Sequence, residues 1–186
     1  MVARVARPTV AEMARRGTPF SGVLYVGLAL TSAGLKVVEF NARFGDPETQ
    51  VVLARLETPL AAVLFASATG TLGTLPPLQW RDDAAVTVVI ASGGYPGAVR
   101  SGDPITGIEA AEALPGVHVL HAGTALQLDA PSDDDAIDGA HLVSAGGRVL
   151  SVVGVGPDLA AARTAAYAGV EKIDLPFSHH RSDIAR

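Results

Sequence analysis

Val37-Val38-Glu39-Phe40-Asn41-Ala42-Arg43-Phe44-Gly45-Asp46-Pro47-Glu48-Thr49-Gln50 is the stretch on which the reading of this chain turns. It begins as an apolar, β-branched run, the composition of a strand, and then sets a carboxylate and a carboxamide two residues apart. Alternate residues of a strand share a face, so Glu39 and Asn41 project side by side. Two oxygen ligands on a rigid strand suit a hard divalent cation. Mg²⁺ commonly takes one or two protein oxygens while phosphate oxygens and water complete its octahedron. A cation, a glycine and an acid follow at once in Arg43, Gly45 and Asp46. Metal ligands, guanidinium and carboxylate in so short a span are what a phosphoryl-transfer site needs. The competing reading of the pair is a polar strand end running into a solvated turn.

Each neighbour of the pair also has two readings. Arg43 lies two residues past Asn41 and shares its face if the strand persists. There a guanidinium grips phosphate or carboxylate bidentately; otherwise it forms a surface ion pair with Asp46. Asp46 suits a substrate contact, and equally the cap of a helix opened by Pro47 and running to about Leu56. Glu48 is assigned to that helix's dipole rather than to chemistry.

Working outward, residues 8–17 read as a short helix, with Pro8 near its start and Gly17 just past its end. Gly22 to Thr31 and Leu35 to Asn41 form two strands joined at Ser32-Ala33-Gly34, so the metal pair rides on the second strand of a hairpin. A helix follows from Leu60 to Ala66. Gly70 to Trp80, with Gly73, Pro76 and Pro77, reads as a linker or an irregular crossing. Beyond it lie strands at Ala84 to Ala91 and Val117 to His121. A hairpin is expected from His141–Val143 and Arg148–Val153 across Ser144-Ala145-Gly146-Gly147. Asp158 caps a final Ala-rich helix reaching about Ile173. The domain boundary is expected near residues 70–83.

Composition narrows the class. The chain has 186 residues, 48% hydrophobic, with 20 Gly and 12 Pro, which is globular and loop-rich rather than disordered. A net charge of −5 argues against a nucleic-acid partner, which leaves a basic footprint. No apolar run approaches the length of a membrane span, and no signal-like apolar segment follows the N-terminal arginines. The absence of cysteine excludes disulfides, thiolate metal sites and cysteine catalysis. The cytoplasm is the expected compartment.

Other candidates carry less. Gly93-Gly94-Tyr95-Pro96-Gly97 is first a tight turn, with a phosphate-facing loop as its second reading. His121 and Thr124 read as structural, and His179 and His180 as solvated. Asp133, Asp134 and Asp135 read as a solvated charge run, since the EF-hand pattern is absent.

The run Glu39-Phe40-Asn41-Ala42-Arg43-Phe44-Gly45-Asp46-Pro47-Glu48-Thr49-Gln50 resembles the signature of the phosphoribosylamine–glycine ligases, members of the ATP-grasp superfamily in purine biosynthesis. Phe20 to Leu28, Ser92 to Gly97, His121 to Thr124, Ala145 to Leu150 and Arg181 to Ile184 are similar to that family in order, so the resemblance covers nearly the whole chain. It implies an α+β fold: the C-terminal part of an ATP-grasp core (a β-hairpin plus helices, residues 1–75), then a small β-rich domain with a final helix (residues 84–186). It also implies Glu39 and Asn41 as ligands of Mg²⁺ or Mn²⁺ at the ATP site, and Arg43 and Asp46 as catalytic residues. Asp46 would orient the amine of glycine or 5-phosphoribosylamine.

The implied reaction joins those two substrates with ATP, through glycyl phosphate, to give glycinamide ribonucleotide, ADP and phosphate. The resemblance further implies that the chain is the C-terminal part of such a ligase. The covering lid is not found, because the only lysines are Lys36 and Lys172, and no Gly-rich phosphate loop replaces it. A separate N-terminal half, or self-association through exposed apolar surface, is therefore expected. Two alternatives stay open: a non-catalytic complementing module derived from the ligase, and another ATP-grasp carboxylate–amine ligase. The Phe44–Gln50 continuation speaks against the latter. In the tail, Ser182 and Ala185 depart from the family's pattern.

Overall fold

Two strands of the computed structural model carry the expected hairpin, and two compact units organise the rest. Residues 1–128 and 139–186 are described; Asp133, Asp134 and Asp135 lie outside them. The first unit comprises Met1–Thr49 and Leu56–Arg81, the second Gln50–Arg55 and Asp82–Arg186.

In the first unit a π-helical turn, Val2–Ala6, leads into α1 (Arg7–Arg15), with Pro8 in its first turn. β1 (Tyr25–Thr31) and β2 (Gly34–Asn41) pair antiparallel, and Gly34 at φ +91° makes the reversal that a Cβ would resist. The pairing is regular from Thr31↔Gly34 to Leu28↔Val37 and then slips, so that Gly27 faces Glu39 and Tyr25 faces Asn41. Val38 is thus the extra residue of a β-bulge. α2 (Glu48–Arg55), which belongs to the second unit from Gln50 on, starts two residues later than Asp46-Pro47 suggested, because those two residues form a turn. α3 (Leu60–Ala68) follows, and then a 3-10 turn, Leu72–Thr74, lies inside the expected linker.

Burial is scarce in this unit. Only Gly45 and Ala66 are buried, while Leu30, Val38 and Phe65 are 88%, 69% and 71% exposed. Exposed apolar side chains on this scale mark surfaces that associate or aggregate.

The second unit holds the core. β3 (Ala84–Ala91) alternates inward Val86, Val88 and Ile90, and β4 (Val117–His121) turns Val117 and Val119 inward. Both strands match their expected bounds. Between them lies β7 (Arg148–Gly156), antiparallel to each and buried from Val149 through Gly154. A central strand covered on both faces reads as a continuous apolar run. β5 (Thr124–Leu128) pairs instead with β6 (Ala140–Ser144) in a separate two-stranded sheet.

The expected hairpin across Ser144–Gly147 therefore does not form. The Ala145 N–H donates to the Gly123 carbonyl at 2.7 Å, and the Gly147 carbonyl accepts from Ser92 N–H at 2.9 Å. The glycine pair is used for close backbone packing against Gly123 and under the Tyr95 ring, not for a two-residue reversal.

α4 (Ile108–Glu112), a single short turn of helix, packs beside β4. α5 (Leu159–Val170) lies across β7 and β3, capped by Asp158, whose Oδ1 accepts from Ala161 N–H at 2.8 Å. Ala162 and Ala166 are fully buried against Gly154, where a Cβ would run into helix backbone. The tail is tied to α5: Arg163 donates to the Ile184 and Ser182 carbonyls, and the Tyr167 hydroxyl donates to Arg181 O at 2.7 Å.

Candidate functional site

The bulge at Val38 fixes what the hairpin presents. Past it, directly opposite residues share a face, which gathers Tyr25, Gly27, Glu39 and Asn41 on one side. Gly27 is where a side chain would crowd this face, since a Cβ there would stand 3.0 Å from Glu39 Cγ. Asn41 Nδ2 donates to Glu39 Oε1 at 2.9 Å, so the two side chains lie together as their spacing requires. That bond leaves Glu39 Oε2 and Asn41 Oδ1 as two adjacent oxygen donors. Hard oxygen donors of this kind fit Mg²⁺ or Mn²⁺. Among the described residues no group of three or more His, Cys, Asp and Glu forms a cage. A cation here would draw the rest of its octahedron from water and the oxyanions of a substrate.

Tyr25 enters the site without having been marked in the sequence. Its hydroxyl hydrogen-bonds the Glu48 carboxylate, and that acceptor, followed by desolvation and the charges of Glu48 and Glu39, raises the phenol above its ordinary value of 10.0. Tyr25 thus stays a proton donor at neutral pH. Its ring lies against Gly45, where a Cβ would come within 3.0 Å of the ring and closer still to Glu48 Oε2. Glu48 does more than face the dipole of α2: it ties the helix's first turn back to β1.

Arg43 and Asp46 are placed differently from the pair. The strand ends at Asn41 and the chain bends at Ala42-Arg43, so period-two facing does not carry through to Arg43. Its Nη1 donates to the Phe44 carbonyl at 2.7 Å, which holds the exposed guanidinium at the strand exit. Asp46 is exposed in the turn before α2, where the Thr49 N–H reaches the Gly45 carbonyl at 3.4 Å. In the second unit His121 Nδ1 meets Thr124 Oγ1 at 3.1 Å, the structural pairing expected of both. His179 pairs by its backbone with Ala91 and is exposed.

Comparison with known proteins finds family models for two segments of the chain. The model of the phosphoribosylglycinamide synthetase C domain matches residues 85–186, and that of its ATP-grasp (A) domain matches residues 1–49. A phosphoribosylamine–glycine ligase of Streptomyces coelicolor is 60% identical over 187 residues, covering 100% of this chain and 42% of the relative. One from Mycobacterium tuberculosis is 54% identical over 184 residues, covering 99% and 40%. The chain therefore spans about two fifths of the length of these curated relatives.

The crystal structure of the Thermotoga maritima phosphoribosylamine–glycine ligase superposes with a TM-score of 0.71 at 31% identity, over 92% of this chain and 39% of that one. A single-chain, multi-domain long-chain acyl-CoA carboxylase shares the fold at TM-score 0.57 and 18% identity. No helix among the described residues is long and apolar enough to cross a membrane. On the match of its C-terminal 102 residues, from 85 to 186, this chain belongs to the phosphoribosylglycinamide synthetase family.

Proposed function

We propose that this chain supplies the metal-bearing strand and the C-terminal domain of a phosphoribosylamine–glycine ligase, working in the cytoplasm in purine biosynthesis. The observation that carries the reading is the Glu39–Asn41 oxygen pair, aimed by the Val38 bulge beside Tyr25 and Glu48. In this reading residues 1–75 are ATP-grasp core and residues 84–186 the C-terminal domain.

Glu39 and Asn41 would hold Mg²⁺ or Mn²⁺ against ATP phosphates. The ion would offset charge on the transferred phosphoryl group. Arg43 grips a phosphate or the glycine carboxylate, and Asp46 orients the attacking amine. Tyr25 and Glu48 are positioning residues that keep the 43–48 turn against β1. The glycine carboxylate attacks the γ-phosphorus and ADP leaves. The amine of 5-phosphoribosylamine then attacks the carbonyl of glycyl phosphate, phosphate departs with the C–O electron pair, and the amine loses a proton. Such a sequence relies on positioning and electrostatics and needs no nucleophilic side chain.

The lid and N-terminal domain belong to the relatives' unmatched length, so catalysis calls for those parts, in trans if encoded separately. The test is ADP release by the 186-residue chain with Mg²⁺, ATP, glycine and freshly generated 5-phosphoribosylamine. It is run with and without the N-terminal portion of a relative. Activity that depends on both substrates and on Glu39 is expected when that portion is present. A reconstituted mixture in which Glu39→Gln leaves turnover unchanged refutes the assignment.

A further inference from the structure

Phe177 occupies a backbone position that glycine would fill without strain. Its φ is +61°, in the left-handed region where a Cβ crowds the backbone. The residue is 68% exposed, so burial does not account for it. The segment around it is tightly set. Leu175 is buried, His179 pairs with Ala91 at the end of β3, and Gly93 backs onto Phe177 so closely that a Cβ would meet its Cβ at 3.1 Å.

The ring's partner is Arg100, whose guanidinium carbon lies 4.1 Å from the ring centroid. Arg100 is held from a second direction by Asp103. Its Nε donates to both carboxylate oxygens at 2.7 Å, and the Asp103 side chain is only 8% exposed while that of Arg100 is 55% exposed. Asp103 is itself fixed by backbone pairing with Ser144. Among the described residues neither Nη of Arg100 makes a hydrogen bond.

A guanidinium stacked on a ring, anchored through Nε and exposed at its fork has lost its rotamer freedom in advance. That pre-organisation is what bidentate recognition of an oxyanion uses. Backbone strain retained at an exposed residue also gathers at ligand clamps rather than in packing. We propose that Arg100, set by Asp103 and Phe177 beside the Gly93–Gly97 turn, is a binding site for the carboxylate or phosphate group of a small molecule. The site lies wholly within the second unit and does not depend on the function proposed above.

The test uses the 186-residue chain labelled with ¹⁵N-arginine. The Nε–Hε resonance of Arg100, assigned by its loss in Arg100→Lys, is followed during titration with inorganic phosphate and with acetate, against sodium chloride at matched ionic strength. A saturable shift with either oxyanion is expected, and whichever saturates first identifies the group recognised. In Phe177→Gly the melting temperature should rise by about 2–4 °C as strain is relieved. Affinity should fall roughly two- to fivefold as the stack is lost. An unsaturating response that tracks chloride overturns the proposal. So does a Phe177→Gly variant that binds as tightly as the parent, or one that melts lower, since the ring would then be serving the fold.

Discussion

Gly154→Ala should break the second unit more severely than its one added methyl suggests. Gly154 sits on the central strand between Val86 of β3 and Val117 of β4. The space above it is taken by the Ala162 carbonyl and the Ala166 amide of α5. Both obstacles are backbone, so no side-chain rotation makes room, and α5 must lift by about 1 Å. Lifting it loosens Ala162 and Ala166, both fully buried, and Val170, 5% exposed.

Overpacking costs about 1–3 kcal/mol, and a rigid backbone clash belongs at the upper end. Replacing a strand glycine returns roughly 0.5–1 kcal/mol. The expected loss is about 2–2.5 kcal/mol, or roughly 8–15 °C in melting temperature for a unit of this size. Urea unfolding followed by circular dichroism measures it. Gly73→Ala serves as control, because a Cβ there meets nothing within 4 Å, and its change should stay within about 0.5 kcal/mol. A Gly154→Ala variant within about 0.5 kcal/mol of the parent, with unchanged m-value, would refute the close-packed seam.

Tyr25→Phe should cost about 0.5–1.5 kcal/mol in urea unfolding. The raised phenol predicts stability that is full below pH 10 and declines as pH rises through the folded-state titration, a slope that Glu48→Gln should flatten. Asp183, lowered to about 2 by the Arg181 hydrogen bond, has the opposite sign. Its contribution is present above pH 3.8 and fades as pH falls toward 2; a carboxyl ¹³C titration should show that midpoint, and Arg181→Ala should return it toward 3.8. Glu39→Gln should weaken Mn²⁺ binding in the presence of ATP at least about tenfold by water-proton relaxation, with an unchanged far-ultraviolet spectrum. Unaltered relaxation enhancement would remove Glu39 from the metal assignment.

Local patterns in this chain were legible where one rule governs them. Val86, Val88 and Ile90 alternate, so β3 could be read residue by residue, and so could β4. Asp158 before an Ala-rich run announced α5 and its cap. The side-by-side placement of Glu39 and Asn41 needed only the two-residue period of a strand.

What depended on distant partners was not legible. β7 is apolar on both faces, and nothing in it says that its neighbours are β3 and β4 rather than β6, so Gly146-Gly147 looked like a hairpin turn. α4 is too short to show a period. Tyr25 was missed for a subtler reason. Counting registers back from the turn at Gly34 sets Phe40 opposite it, and only the extra residue at Val38 brings Asn41 there instead. The same bend in reasoning applies to Arg43, whose face was extrapolated along a strand that had already ended.

The bulge also gives this strand slack for hereditary change. Because Val38 is 69% exposed, its identity matters little to packing, and many replacements there should be silent. Its presence as a counted position is no more critical to the facing of the pair. Losing its codon would close the bulge and restore the plain register with Glu39 still opposite Gly27 and Asn41 still opposite Tyr25, since Val37 already faces Leu28. The hairpin therefore holds the orientation of its oxygen pair through either the exchange or the loss of the bulged residue. That makes it permissive to substitution at Val38 and tolerant of that residue's deletion, whereas loss of Phe40 would turn Glu39 and Asn41 to opposite faces.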